Sequence, residues 1–203
     1  FGKMGKIDVM EQFYAALRQS GLTPDVFTYN SMLAAYGKAM NEEKIQEAWQ
    51  EMLLCGVQPN VATYQNAIEA YSRLGDISMM EAMYHEAMRK GCQLGVWAYS
   101  SLLAAYCNAG DTHKVEVTFE SMAVHKVHPN VRCFSSVIKA HAKAGEIEKM
   151  ERRFRQLMAS PGNRPDLEIF ITVIRGYGTK YAQRAINAFL AMKPSRVMPT
   201  SAA

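Results

Sequence analysis

The chain has 203 residues, 49% of them hydrophobic and 21% charged, which excludes a disordered polymer and leaves room for one ordinary globular domain or several small repeats. No apolar run approaches the ~18 residues that a membrane span needs, so no membrane partner is expected. The formal charge of +4 is unevenly spread: residues 1–125 carry 9 Lys/Arg against 14 Asp/Glu, and residues 126–203 carry 14 against 5, which makes the C-terminal third the candidate polyanion-binding part.

Taken from its start, the sequence begins at Phe1 rather than Met and reads as a fragment, so the lack of a visible targeting peptide is uninformative. Residues 23–38 read TPDVFTYNSMLAAYGK, residues 58–73 QPNVATYQNAIEAYSR and residues 128–143 HPNVRCFSSVIKAHAK. At a period of 35, Tyr29, Tyr64, Tyr99 and Phe134 align, as do Ala35, Ala70, Ala105 and Ala140. Tyr36, Tyr71, Tyr106 and His141 form a third column, and Gly75, Gly110 and Gly145 a fourth, with Gly5 and Met40 in the same register. One extra residue near SPGNRPD shifts the last unit, after which Phe170, Gly176 and Tyr177 continue the first three columns.

A partial unit at 1–25 is thus followed by full units at 26–60, 61–95, 96–130 and 131–166, then by a degenerate, capping unit over 167–200 and a tail at 201–203. A period of this size is the mark of a repeat architecture. Each unit contains two helical stretches. In the second, Tyr64, Ala67, Ile68 and Tyr71 share one helix face; Gly75 then suits a helix C-terminus and Asp76 an N-cap. The second helix carries Met79, Met83 and Ala87 and ends near Gly91. Pro59, Pro129 and Pro165 precede the next helices, where a missing N–H is harmless. First helices are expected over 26–38, 61–73, 96–108, 131–143 and 167–180, and second helices over 42–54, 77–90, 112–125 and 146–159.

A single helical hairpin cannot bury its apolar face, whereas stacked hairpins can, so the predicted fold is an all-α solenoid, one repeat domain in which each unit touches its neighbours. The Ala column then lets adjacent first helices approach, and Ala35→Leu is expected to overpack by ~1–3 kcal/mol. The Met and aromatic columns read as repeated core.

Catalytic and metal-binding patterns are missing. His125 and His128 fall at a helix end with no Cys, Asp or Glu within four residues in sequence, and YHEAM lacks the second His of a zinc protease motif. There is no Gly-rich phosphate loop, nucleophile elbow, acidic metal cluster or zinc-deaminase signature. No cofactor, no metal and no enzymatic activity are expected. Cys55, Cys92, Cys107 and Cys133 show no CxxC spacing and read as reduced thiols.

The phrase P-D/N-V-x-T-Y-N-x-x-L/I-x-A-Y-x-K/R-x-G closely resembles the pentatricopeptide repeat in its standard 35-residue form, over essentially residues 1–200. The resemblance implies a right-handed superhelix whose first helices line the inner groove. It also implies sequence-specific binding of single-stranded RNA in a chloroplast or mitochondrion, mostly in plants, at one base per repeat. The charge distribution is compatible. The first helices hold seven basic and two acidic residues, the second helices eight and eleven, so a polyanion would meet the first-helix wall.

In this family one reading side chain follows the opening aromatic, another is the last residue of the repeat, and a third packs on the base face. The first full unit supplies Asn30 and Asn60 with Phe27, a combination that resembles pyrimidine recognition, cytosine before uracil. The second supplies Gln65 and Gly95 with Ala62, and receives no base because Gly95 has no side chain. Ser100 and Asn130 with Trp97 resemble an adenine reader, and Ser135 and Asp166 with Arg132 a guanine reader. The implied readout is C/U–any–A–G, 5′ to 3′; the extra residue precedes Asp166, at the guanine position. The last unit offers Ile171 and Glu168 instead, and Glu168 would repel phosphate. Lys3, Lys38, Arg73 and Lys143 form a column, broken by Asn108, that resembles a phosphate contact; a basic residue at a helix C-terminus is also favoured by the dipole. Phe27 and Trp97 have two readings, base stacking or packing between repeats. The alternative function is a helical scaffold for protein partners or self-association, and a dimer or further repeats would lengthen the footprint.

Overall fold

The computed structural model describes residues 4–191, and every regular element among them is helical. In chain order these are α1 (Met4–Gln19), α2 (Val26–Ala39), α3 (Glu42–Leu54), α4 (Val61–Leu74), α5 (Ile77–Arg89), α6 (Val96–Ala109), α7 (Thr112–Val124), α8 (Val131–Ala144), α9 (Ile147–Ala159), α10 (Leu167–Tyr177) and α11 (Ala182–Ala191), with a 3₁₀ turn at Thr179–Tyr181. The tail at 201–203 and Lys3 lie outside the described residues. The chain forms two compact units, Phe1–Ala105 and Tyr106–Ala203, with α6 running across the division.

In the first unit, α2 packs on α3 and α4, α4 packs on α5, and α1 rests on α2. In the second, α8 packs on α7, α9 and α10, and α10 packs on α11. The fold class is therefore the all-α, stacked-hairpin solenoid read from the sequence.

The aromatic column is the core. Tyr29, Tyr64, Tyr99, Phe134 and Phe170 are fully buried. Each meets, edge to face, an aromatic of the preceding second helix. The pairs are Tyr14–Tyr29 (6.3 Å), Trp49–Tyr64 (5.6 Å) and Tyr84–Tyr99 (6.3 Å) in the first unit, and Phe119–Phe134 (5.1 Å) and Phe154–Phe170 (5.5 Å) in the second. Such pairs contribute ~0.5–1.5 kcal/mol beyond their burial, so within each unit the same ring contact keys a first helix to the second helix before it.

Small residues face each other between neighbouring first helices. A Cβ on Gly37 would sit 2.7 Å from Ala70 Cβ, and one on Gly176 would sit 3.0 Å from Ala142 Cβ. Ala70, Ala105 and Ala140 are buried, whereas Ala35 is half-buried, so Gly37 is the tighter point on α2.

Gly75, Gly110 and Gly145 end first helices with φ of 80°, 76° and 71°, and Met40 does the same at φ 55°. A second left-handed column, Gly21, Gly56, Gly91 and Gly162, follows the second helices, and Lys126 stands in it at φ 57°. The last first helix ends at Tyr177 rather than at residue 180, because Gly178 breaks the helix at φ 53°, ψ −161°.

Side-chain caps open the second helices at Asn41, Asp76 and Asp111. Glu146 does not cap α9; its Oε2 instead lies 2.7 Å from Nδ1 of the fully buried His141. His141 Nε2 lies 2.9 Å from Glu116 Oε1 without hydrogen-bond alignment. Glu116 also takes the guanidinium of buried Arg153, which stacks on Phe119 at 4.7 Å, and Arg152 Nη2 at 3.0 Å. Burial pushes the Glu116 carboxyl up, but Arg153, His141 and Arg152 outweigh it and hold the group below the usual carboxylate range.

Candidate nucleic-acid interface

The N-termini of the first helices gather the candidate base-reading residues, and local capping chemistry places them. Asp25 opens α2, Asn60 α4, Asn130 α8 and Asp166 α10. In each case the side-chain oxygen accepts a backbone N–H three residues on: Thr28 for Asp25 (2.9 Å), Thr63 for Asn60 (3.0 Å), Cys133 for Asn130 (3.0 Å) and Ile169 for Asp166 (3.0 Å). The residue expected to read a base is thus also the helix cap, and one of its two polar atoms is already committed to the backbone.

The structure brings the first candidate pair together. Asn30 Nδ2 donates to Asn60 Oδ1 at 3.4 Å, although the two residues stand on α2 and at the start of α4. Asn66 Nδ2 fastens this corner by donating to the Asn30 carbonyl at 3.0 Å. Asn30 Oδ1 is buried with no hydrogen-bond partner among the described residues. An orphaned acceptor beside an exposed amide is a cost that packing alone does not require.

The second pair is also adjacent. A Cβ on Gly95 would meet Gln65 Nε2 at 3.2 Å, so the Gln65 amide fills the space a longer residue at 95 would take. Ser100 is 1% exposed, and its hydroxyl donates to the Trp97 carbonyl at 2.8 Å, which directs it inward in this structure. Asn130 and Ser135 are half-buried and Asp166 is exposed. The extra residue before Asp166 is absorbed in the turn after α9, where Gly162 adopts φ 84° and Asn163 Nδ2 donates to the Pro129 carbonyl at 3.0 Å. Asp166 then caps α10 with φ −90°, ψ 175°, beside −94°, 175° for Asn130 at α8.

Phe27 is 75% exposed and Trp97 63%, so neither large ring is spent on the core. Ala62 and Arg132 are exposed, as are Ile171's neighbour Glu168 and the cations Lys38, Arg73 and Lys143. Lys38 and Arg73 line one depression of about 130 Å³ between α2 and α4, together with Asn66 and Glu69. Arg73 is paired there with Glu69 at 2.7 Å on its own helix, an exposed pair that contributes ~0–1 kcal/mol and that a phosphate could displace.

Two features escaped the sequence reading. One is the ring column Tyr14, Trp49, Tyr84, Phe119 and Phe154, which keeps the 35-residue period but varies in residue type. The other is Thr28 and Thr63. Their hydroxyls lie 2.8 and 3.0 Å from Asp25 and Asn60 Oδ1, and the signal was an Asp or Asn with Thr three residues on. The two Thr28 hydrogen bonds, the backbone one foremost, hold the Asp25 carboxyl below the usual range. Among the described residues, no three His, Cys, Asp or Glu side chains gather as a metal site, and no helix is long and apolar enough to cross a membrane.

The repeat is recognised independently by family models. One described as pentatricopeptide repeat domain matches residues 82–144, one described as PPR repeat family matches 24–72, and one described as PPR repeat matches 62–92 and 132–160. The chain belongs to the pentatricopeptide repeat family. Among solved structures, this pentatricopeptide repeat chain is similar to the maize pentatricopeptide repeat protein PPR10, at 27% identity and a TM-score of 0.71 over 97% of the chain. It is also similar to PPR10 in complex with an 18-nt psaJ RNA element, at 26% identity and a TM-score of 0.83 over 95% of the chain. In both cases it spans 28% of the PPR10 chain. The PPR domain of Arabidopsis thaliana protein-only RNase P 1, in complex with tRNA, shares the fold at 21% identity and a TM-score of 0.66, over 76% of this chain and 82% of that one. No curated protein matches the chain in sequence.

Proposed function

We propose that this pentatricopeptide repeat chain binds single-stranded RNA base by base, without catalysis of its own, in the RNA metabolism of a chloroplast or mitochondrion. The observation that carries the reading is the meeting of the Asn30 and Asn60 amides at 3.4 Å, at an exposed helix start flanked by a solvent-facing Phe27. Two amides and a ring at one point suit a nucleobase: the ring covers its face and the amides meet its edge. The similarity to PPR10, solved with an RNA element, supports the same reading.

Capping sets what each reader offers. With Oδ1 of Asn60 and Asn130 facing the helix, the amide Nδ2 is left as a donor; with one oxygen of Asp166 facing the helix, the other is left as an acceptor. A donor complements the acceptors of a pyrimidine or of adenine N1, and an acceptor complements guanine N1–H and N2–H₂. The proposed readout is C/U–any–A–G, 5′ to 3′, with Lys38, Arg73 and Lys143 toward phosphates. The organellar setting rests on the family resemblance.

Selection from a randomised single-stranded RNA pool at fixed salt tests this. Enrichment of a Y-N-A-G core and a move from A to G at one nucleotide in Asn130→Asp are expected. Salt-independent binding, or none, would overturn the reading.

A further inference from the structure

We propose that Thr63 is a specificity-determining positioning residue: its buried hydroxyl fixes which end of the Asn60 amide an RNA base meets. The inference rests on the base-reading function proposed above. Thr63 is fully buried, and its N–H and Oγ1 each lie 3.0 Å from Asn60 Oδ1. In return Thr63 Oγ1 accepts the Asn60 N–H at 3.1 Å. A hydroxyl has one proton, so while it accepts from the Asn60 backbone it donates to the Asn60 side chain.

Turning the amide over would set Nδ2 against the Thr63 N–H, donor facing donor, and would leave the hydroxyl proton without its acceptor. Asn30 Nδ2 converges on the same oxygen, at 3.4 Å. Asn60 Oδ1 is therefore held inward by three donors, and Nδ2 faces out. A base at this point meets a donor, which suits the O2 and N3 acceptors of cytosine and the carbonyl oxygens of uracil.

The other readers provide internal controls. Asn130 Oδ1 is capped at 3.0 Å by the N–H of Cys133, a residue with no hydroxyl, so its amide is less firmly oriented. Asp166 is capped by Ile169, but its two oxygens are equivalent and either orientation offers an acceptor. The contribution of a Thr hydroxyl to specificity is thus confined to positions where the reader is an amide.

The experiment uses the whole chain and RNAs that differ at one nucleotide. Thr63→Val keeps the shape and removes the hydroxyl. It is expected to lower the pyrimidine-over-guanine preference at the nucleotide read by Asn30 and Asn60 by about fivefold, the worth of one net hydrogen bond. Preferences at the other nucleotides should hold, and Thr63→Ser should retain the original preference. Cys133→Thr adds the missing hydroxyl and should sharpen the preference at the nucleotide assigned to Asn130. An unchanged preference in either Thr63→Val or Cys133→Thr overturns the inference. So does an equal loss at every nucleotide, or a Thr63→Ser protein as impaired as Thr63→Val. A wild type with no base preference overturns the proposed function itself, and this inference falls with it.

Discussion

Glu146 Oε2 lies 2.7 Å from His141 Nδ1, and the helix that Glu146 opens goes without a side-chain cap. The equivalent opening residues Asn41, Asp76 and Asp111 all cap. The longer carboxylate at 146 reaches past the backbone to an imidazole that stands where other repeats have Tyr. Two departures from the repeat are therefore one interaction.

Acid should weaken this cluster. Burial raises the Glu116 and Glu146 carboxyls, but Arg153, His141 and Arg152 at the first and His141 and Lys149 at the second hold both below the usual range. A depressed folded-state pKa contributes stability above the unfolded value that is lost as pH falls through the folded value. The urea midpoint should fall as the pH drops below about 5, and less steeply in Glu116→Gln. Equal slopes would remove Glu116 from the account.

Arg153→Met should cost ~3 kcal/mol, because it leaves a largely buried carboxylate with weaker partners rather than because the ion pair itself is strong. Arg153→Met combined with Glu116→Met should recover much of the loss. Denaturant titration of the single and double variants checks this.

Met40→Gly and Lys126→Gly should each stabilise the chain by ~1 kcal/mol. Both residues occupy left-handed backbone, at φ 55° and 57°, in columns otherwise filled by glycine, and both are exposed, so no core contact is lost. A lowered denaturation midpoint for either would contradict the assignment of strain.

Gly37→Ala should destabilise by ~1–3 kcal/mol, since its Cβ would sit 2.7 Å from Ala70 Cβ and 3.0 Å from Ala70 Cα. The backbone atom cannot rotate away. Ala35→Leu, at a half-buried position, should cost less than Gly37→Ala.

Phe27→Ala should leave stability within ~0.5 kcal/mol, as expected for a ring 75% exposed, while weakening single-stranded RNA binding by ~1–3 kcal/mol. Parallel loss of stability and affinity would return Phe27 to a packing role.

The repeat and its core were legible because stacking identical hairpins imposes the same burial every 35 residues, and Tyr29, Tyr64 and Tyr99 record it directly. The ring partners were harder to see because any of Tyr, Trp and Phe can make an edge contact, so the type varies while the position persists. The Glu116–Arg153 pair was not legible, since it joins residues 37 apart through a geometry that the alternation of charges does not announce. For the candidate readers Asn60, Asn130 and Asp166, the place at a helix start was legible and the orientation of the side chain was not. Nothing in the letter Ser100 says that its hydroxyl turns back to the Trp97 carbonyl.

The residues at the repeat ends are Asp25, Asn60, Gly95, Asn130 and Asp166, all drawn from the few amino acids that open a helix well. On the proposed reading, exchanging Asn for Asp there rewrites one letter of the target while leaving the free energy of folding nearly unchanged. Recognition in such a chain would drift by single substitutions without passing through unstable ancestors, within an alphabet that helix initiation itself restricts.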